Sequence, residues 1–578
     1  MKFAHVVHYL EEINKHTARL EITRLLAELL SQATPHEAQI ISYLSLGTLR
    51  VTYESTQFNL AEKSVIKIIA QLRKTDIHTI KEEMQKTGDL GSVAAHGTWQ
   101  PTGEPTLLSI YNQLIDLEKM SGTGSQEERA AALLTILESV DPLSAQYIIR
   151  IIIGKLRLGF SDMTLIDALS WMLVGNKSLH DRIEHAYNIC ADIGHIAAIL
   201  KEYGVDGLEK ISIIVGIPIR PAAAERLPTA RDIIDKIGPC IAQPKLDGFR
   251  LQIHLDFRTE KKMWFYSRNL QNMSNMFPDL VKALSDLDVE TLIAEGEAIV
   301  YDEQTGSFVP FQETVKRKRK HGIEEAAAEM PLKLFLFDIL YLNGVSLLNK
   351  THHTRRDIMA QLFANQHEQI VSVIGEKHVD TAQELENYFL ENIQLGLEGL
   401  VAKKPDSHYQ PGKRNFNWIK LKRQEEGRLD DTLDCVILGY CFGQGKRASF
   451  GIGAFLVGIY DPKKDCFETV AKVGTGLKDA DLIELKQKCD AIRVMQQPHN
   501  VVCAKELAPD VWVSPEIVCM IRADEITLSP VHSAGKTAHE LGYALRFPRF
   551  MGYRPDKSAT QATTSTELRS LFNQQKNK

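Results

Sequence analysis

The stretch Ala242–His254, AQPKLDGFRLQIH, places Lys245 two residues before Asp247, with Gly248 next and Arg250 two residues further on. Apolar Leu251 and Ile253 then alternate with Gln252 and His254, the period of a half-buried strand. By the same period a strand would carry Lys245 and Asp247 on one side. A lysine beside a tight turn at a strand end is either a charge on a surface turn or a nucleophile held in place. K-x-D-G is too short to decide between them, so the reading depends on what the rest of the chain supplies.

From about residue 239 to 424 the chain is a series of short strand-like runs bounded by turns, among them FRLQIHL, KMWFYSRN, LIAEGEAIVYD, KLFLFDILYLNG, GLEGLVAKKP and NWIKLKR. They carry Arg268, Glu295, Glu297, Phe337, Asp338, Glu398, Lys403, Arg414, Lys420 and Lys422 in that order. These are the parts of a site for a triphosphate. Lysines and arginines neutralise phosphates, carboxylates hold a hard cation through oxygen, and an aromatic ring stacks on a base. Lys420 and Lys422 are two apart, so on a strand they face one side. A free lysine has a pKa near ~10.4 and is not nucleophilic at neutral pH. Burial and neighbouring cations depress that value, and the neutral amine can then attack an α-phosphorus.

The flanks differ in character. Phe3, Val6, Val7, Leu10 and Ile13 follow helical spacing, and AAALLTILESV and TLIDALSWMLV continue in that style, so the first 220 residues read as helical. Lys155 and Arg157, in IIGKLRLGF, are candidates for phosphate contact or for a solvated surface. GIPIRPAAAERLPTARDIIDKIG carries three prolines and reads as a boundary. Beyond about 429, DTLDCVILGYCFG, GAFLVGIYD and FETVAKVGTG read as short strands of a small barrel, and STELRSLFNQQKNK as a short polar helix end.

Net charge is −6, and residues 1–220 hold 21 Lys and Arg against 26 Asp and Glu. Overall charge therefore does not advertise nucleic acid, although a local basic face remains open to it. No run is long and apolar enough to span a membrane. The N-terminal MKFAHVVHYLEEINKH breaks the apolar core that a signal peptide needs, so the expected location is cytoplasmic. Eight cysteines are scattered with no C-x-x-C pair, which argues against a zinc module or a disulfide framework.

Taken in order, KLDGFR, SRN, EGEAIV, FLFDILYLNG, EGLVAK and WIKLK resemble the motif series of the covalent nucleotidyltransferases. GYALRFPRFMGYRPDKSATQATT resembles the last motif of the ATP-dependent DNA ligases. DPLSAQYIIRIIIGKLRLGFSDMTLIDAL and GIPIRP resemble the helical domain of the archaeal and eukaryotic replicative ligases. The resemblance covers essentially the whole chain. It implies a multidomain protein: an all-α DNA-binding domain (1–220), a linker (221–238), an α+β nucleotidyltransferase (adenylation) domain (239–424) and a β-barrel OB-fold domain (425–578).

The resemblance implies that Lys245 takes AMP from ATP and that AMP then passes to the 5′-phosphate of nicked duplex DNA. It gives Arg250 and Arg268 ribose and phosphate contacts, Glu297 and Glu398 to the ribose and Mg²⁺ (Mn²⁺ suits the same oxygen donors), and Phe337 to adenine stacking. Arg414, Lys420 and Lys422 are expected on phosphates, and Arg546, Arg549, Arg554 and Lys557 on pyrophosphate. Phe311 and Phe547 resemble aromatics pressed into the minor groove. KRKRKHG (316–322) reads as a loop or backbone contact before an import signal. The family commonly has a glutamate two residues before the lysine; here it is Gln243, an amide in place of a charge.

A monomer is expected. A sliding clamp is a candidate partner, although neither end holds a convincing clamp-binding peptide. The absence of a long N-terminal tail favours an archaeal-type or bacterial enzyme. A capping guanylyltransferase or an RNA ligase would share the K-x-D-G core but has no need of a 200-residue helical domain. An NAD-dependent ligase would normally add a four-cysteine zinc module.

Overall fold

Phe3, Val6, Val7, Leu10 and Ile13, three and four residues apart, are all buried on one face of the helix Phe3–Asn14. This is how the N-terminal part is built in the computed structural model of the chain. The structure describes residues 1–54, 56–121, 125–154, 156, 158–302, 307–308, 323, 325, 327, 330–364, 370–422, 432–443 and 445–576. Helices follow one another to Ile193–Tyr203, including Ser125–Glu138 and Asp162–Val174, where helical spacing was read. Several of their starts are capped by side chains. Asp141 accepts from Ser144 N at 3.0 Å with Pro142 in the first turn. Asp192 accepts from His195 N at 2.9 Å and from the Tyr43 hydroxyl at 2.7 Å. Such a cap stabilises a helix by about 1 kcal/mol.

The chain divides into two compact units, Met1–Arg423 and Gln424–Lys578. In the first, the strands are β1 (Ala223–Arg226), β2 (Cys240–Lys245), β3 (Phe249–Asp256), β4 (Lys262–Ser267), β5 (Thr291–Asp302) and β6 (Ser307–Phe308). They continue as β7 (Leu332–Leu342), β8 (Val345–Ser346), β9 (Val371–Val373), β10 (Lys377–Val379), β11 (Gly399–Lys403) and β12 (Arg414–Lys422). One sheet runs β1-β12-β11-β2-β10; the other runs β4-β3-β5-β7-β8, with β6 on β5 and β9 on β7. Ile219, Ile293, Leu340, Tyr409 and Trp418 form a buried cluster drawn from both sheets and the chain leading into them.

Residues 221–238, read from the sequence as a linker, belong to the first sheet instead. β1 pairs in parallel with β12, and the helix Ala230–Ile237 buries Ala230 and Ile233 against Leu400, Ile419 and Leu421. The prolines punctuate the ends of elements rather than an unstructured connection. β3 also differs from the expected half-buried strand, because its polar face is covered. Gln252 accepts from Ile219 N at 2.7 Å and donates to Ile219 O at 2.9 Å. Gly216 N donates to His254 Nδ1 at 3.1 Å, and burial pushes the His254 pKa down to about 3, so the ring is neutral. The covering segment comes from a distant part of the chain, which local alternation does not reveal.

In the second unit, Leu433–Cys441, Ala454–Asp461 and Cys466–Val473 lie side by side, antiparallel, in an eight-stranded sheet. Alternate residues of the first of these strands enter two different clusters, Leu433, Cys435 and Ile437 in one and Val436 and Leu438 in the other. Gly542–Arg546 pairs with Glu525–Ser529. The tail is a 12-residue helix, Ser565–Lys576, that buries Leu568 and Phe572, so it is amphipathic rather than a polar end. Among the described residues no helix is long and apolar enough to cross a membrane.

Candidate active site

Lys245 is the last residue of β2, and its strand ladder explains what surrounds it. Across the sheet, Gln243 pairs with Val401 and Val401 with Lys420; Lys245 pairs with Gly399 and Gly399 with Lys422. Residues directly paired across strands share a face. Gln243, Lys245, Lys420 and Lys422 therefore line one face, while Ala242, Leu400, Ala402, Ile419 and Leu421 on the other face enter the core. Gly399 puts no side chain between the two lysines. Its φ is +144°, and a Cβ there would lie 2.1 Å from Leu421 O. Lys245 and Lys422 both reach the carboxylate of Glu398, the residue just before β11.

Asp247 does not continue the strand, since β2 ends at Lys245 and Leu246–Gly248 form the turn to β3. The turn passes so close to β5 that a Cβ on Gly248 would sit 2.4 Å from Ala298 O. Gly248 N donates to Glu297 Oε1 at 3.1 Å. Burial depresses the pKa of Lys245, and Arg268 and Arg250 add to that, against the pull of Glu297 and Asp247. Burial also pushes Glu297 up to about 7, despite Lys245 and Arg250 nearby. Lys420 is depressed by burial and by the charges of Arg414, Arg268 and Lys245.

Arg250 leaves β3 on the same side. It holds Glu295 through bonds of 3.0 and 3.1 Å, donates to Ala222 O at 3.0 Å, and stands 5.3 Å from the Phe337 ring. Tyr409 donates to Glu295 at 2.8 Å. Phe337, on β7, meets Trp418 edge-on at 6.2 Å. Beneath it lies Lys403, 2% exposed, 4.2 Å from the Trp418 ring and bonded to Phe337 O at 3.0 Å. Burial brings Lys403 down to about 8. At the far end of the face, Gln243 Nε2 donates to Glu376 Oε2 at 2.9 Å.

Cations and carboxylates thus surround a partly buried lysine of lowered pKa, a constellation fit for nucleotidyl transfer. Three family models match the chain: "DNA ligase N terminus" over residues 2–170, "ATP dependent DNA ligase domain" over 221–422 and "ATP dependent DNA ligase C terminal region" over 448–557. A "Probable DNA ligase" of Dictyoglomus turgidum is 42% identical, covering 100% of this chain and 98% of that one. The chain belongs to the ATP-dependent DNA ligases. "DNA ligase 2" of Thermofilum pendens is 37% identical over 98% of this chain and 96% of that one. A solved structure named Pmar-Lig_PreS3 shares the fold, with a TM-score of 0.55 at 18% identity over 95% of this ligase and 99% of that chain.

Of the residues expected at the ligase site, the structure puts Gln243, Lys245, Lys420 and Lys422 on one face of the first sheet with Glu398 just before β11, and Arg250, Glu297 and Phe337 on β3, β5 and β7 of the second. Arg268 is exposed at the end of β4, and Arg414 is exposed at the start of β12. On the second unit, Arg546 pairs with Glu525 at 2.7 Å and Arg549 with Asp524 at 3.3 Å. Arg554 and Lys557 both pair with Asp434. Phe547, between Arg546 and Arg549, is 56% exposed with φ +51°, a backbone region rare for a bulky residue. Lys155, Arg157, Phe311 and the run 316–322 lie outside the described residues.

Tyr409, Trp418 and Glu376 were not singled out from the sequence. NWIKLK contained a signal for Trp418, since it alternates with Lys420 on one face. VIGEKHV gave none for Glu376.

Proposed function

We infer that this ATP-dependent ligase seals nicks in duplex DNA with Lys245 as its nucleophile. The observation that carries the assignment is a lysine at a strand end whose pKa is lowered by burial and by Arg268 and Arg250. As the neutral amine, Lys245 Nζ attacks the α-phosphorus of ATP; the N–P bond forms and pyrophosphate leaves. AMP is next passed to the 5′-phosphate at the nick, so the N–P bond breaks as a P–O–P link forms. The 3′-hydroxyl then attacks that 5′-phosphorus, the phosphodiester forms and AMP departs.

In this reading Arg250, Arg268, Arg414, Lys420 and Lys422 balance phosphate charge, with Lys420 on the α-phosphate. Phe337 stacks on the base and Gln243 contacts its edge. Glu297 and Glu398 offer the oxygen donors that Mg²⁺ or Mn²⁺ takes. A carboxyl raised by burial, as Glu297 is, is one that a divalent cation draws back to its ionised form. Bound there, the metal would neutralise developing phosphate charge.

We take residues 1–220 as the DNA-binding domain, 239–424 with the preceding strand and helix as the adenylation domain, and 425–578 as an OB-fold barrel. Arg546 and Arg549 are assigned to pyrophosphate, and Phe547 to the minor groove. Lys155, Arg157 and Phe311 stay candidates for DNA contact. The ligase is taken as a cytoplasmic monomer, with a sliding clamp as a candidate partner.

The test is incubation with α-labelled ATP and Mg²⁺ followed by denaturing electrophoresis. Label on the wild type, absent from Lys245→Ala and chased by nicked DNA, is expected. Label that survives in Lys245→Ala would move the nucleophile elsewhere.

A further inference from the structure

We propose that Glu376 is the positioning residue that makes this ligase select adenine, by committing the Gln243 amide to one orientation. The inference rests on the assignment above of Lys245 as nucleophile and Gln243 as base contact.

Gln243 is two residues before Lys245 on β2 and shares its face. β10 pairs antiparallel with β2, Lys377 opposite Ala242, so the next step of that register sets Glu376 across from Gln243. Gln243 is 2% exposed, and its Nε2 donates to Glu376 Oε2 at 2.9 Å. An ionised carboxylate has acceptors and no donor, so it binds the amide nitrogen and never the amide oxygen. The interaction thus fixes which end of the amide is which. With Nε2 committed to Glu376, Oε1 accepts no hydrogen bond among the described residues and is the end left for a base.

Adenine and guanine differ at the position such an amide would meet. Adenine carries a 6-amino donor; guanine carries a 6-oxo acceptor. A glutamine free to rotate serves either base, with its oxygen for one and its nitrogen for the other. A glutamine whose nitrogen is held by a carboxylate presents oxygen alone. It then accepts from adenine and sets two acceptors against each other with guanine, and an unpaired buried acceptor is costly.

Glu376 is itself held. Arg356 Nε lies 3.5 Å from Oε2, and the His352 ring sits between Glu376 at 3.8 Å and Asp338 at 3.9 Å. Asp338 is anchored by two bonds from Arg355, of 2.7 and 3.0 Å. Burial raises the Glu376 carboxyl, but the His352 and Gln243 side chains and the Arg356 charge outweigh it and leave it near 2. The carboxylate is therefore ionised throughout the neutral range.

The experiment measures rates of covalent labelling of the full-length protein by α-labelled ATP and by α-labelled GTP, each below saturation. It compares wild type, Glu376→Gln, Gln243→Glu and the exchange variant that carries both. Glu376→Gln is expected to lose tenfold or more of the ATP-over-GTP preference, mainly by gaining GTP. Gln243→Glu places two carboxylates face to face and is expected to label poorly with ATP. The exchange variant is expected to recover ATP labelling and the preference together.

An unchanged ratio in Glu376→Gln would overturn the proposal, as would an equal loss for both nucleotides, the sign of a merely structural role. Failure of the exchange variant to recover would do the same if the single variants fold poorly. Absence of ATP label on the wild type is a different result; it would remove the Lys245 assignment and this inference with it.

Discussion

An amine of ordinary pKa is almost entirely ammonium at neutral pH, and the proposed role of Lys245 as nucleophile depends on burial opposing that charge against the carboxylates of Glu297, Asp247 and Glu398. Burial does most of this, and Arg268 and Arg250 contribute. The same burial acts on Glu297 in the opposite chemical sense and keeps its carboxyl near 7. Its pKa in the folded protein is raised above the unfolded one. The stability associated with its neutral form is thus fully present at acid pH, below the unfolded pKa, and is lost as pH rises towards 7. Glu297→Gln is neutral at every pH, so it is expected to raise the melting temperature of the nucleotide-free protein more at pH 8 than at pH 4. It should also slow self-adenylylation at least tenfold. Equal melting shifts at both pH values would contradict the burial argument. The residue types proposed for these roles stand in order in the sequence, because transfer chemistry constrains type strongly. Glu376, Tyr409 and Trp418 were not, because each matters through a partner far away in sequence.

At the scale of elements, two glycines allow the strands to approach closely enough to make the site. The Gly248 turn lies against β5, and Gly248→Ala would press a methyl carbon onto Ala298 O at 2.4 Å. Relief requires the backbone to shift, at about 1–3 kcal/mol by analogy with overpacked cores. The midpoint of urea unfolding followed on the first unit is expected to fall accordingly, and nucleotide labelling to fall with it as Glu297 loses the Gly248 N–H. An unaltered midpoint would mean the turn is loose. Helix positions could be read from spacing, as with Phe3 to Ile13. The strand β1 and the helix Ala230–Ile237 could not, because three prolines look the same at the ends of elements as in a linker.

For the whole molecule, negative net charge has to be reconciled with a phosphate-rich substrate. Lys245, Lys420 and Lys422 share one face of the first sheet, and Arg250 adds a further cation from β3, so charge is local there. Binding of nicked duplex is expected to weaken linearly in log–log terms as salt rises, by about 10³-fold between 50 and 200 mM if some six phosphates are contacted. Formation of the labelled enzyme, which involves no DNA, is expected to change far less over that range. Parallel loss of both would argue that the nucleotide site, rather than a DNA grip, carries the salt dependence. The helical region and the sheets form one unit, tied by pairs such as Gln252 with Ile219.

The class of chemistry and the order of parts are legible in the chain, since covalent nucleotidyl transfer calls for a lysine, cations for phosphate and carboxylates, and these residue types occur in order. The sequence also showed the change from helical to strand-like periodicity, which depends on neighbours a few residues apart. The tertiary structure alone decided that residues 221–238 are part of the catalytic sheet, that both faces of β3 are covered, and that Gln243 meets Glu376. Each of these depends on segments from about 30 to nearly 200 residues apart being brought together by strand pairing and packing. No local pattern records such an encounter.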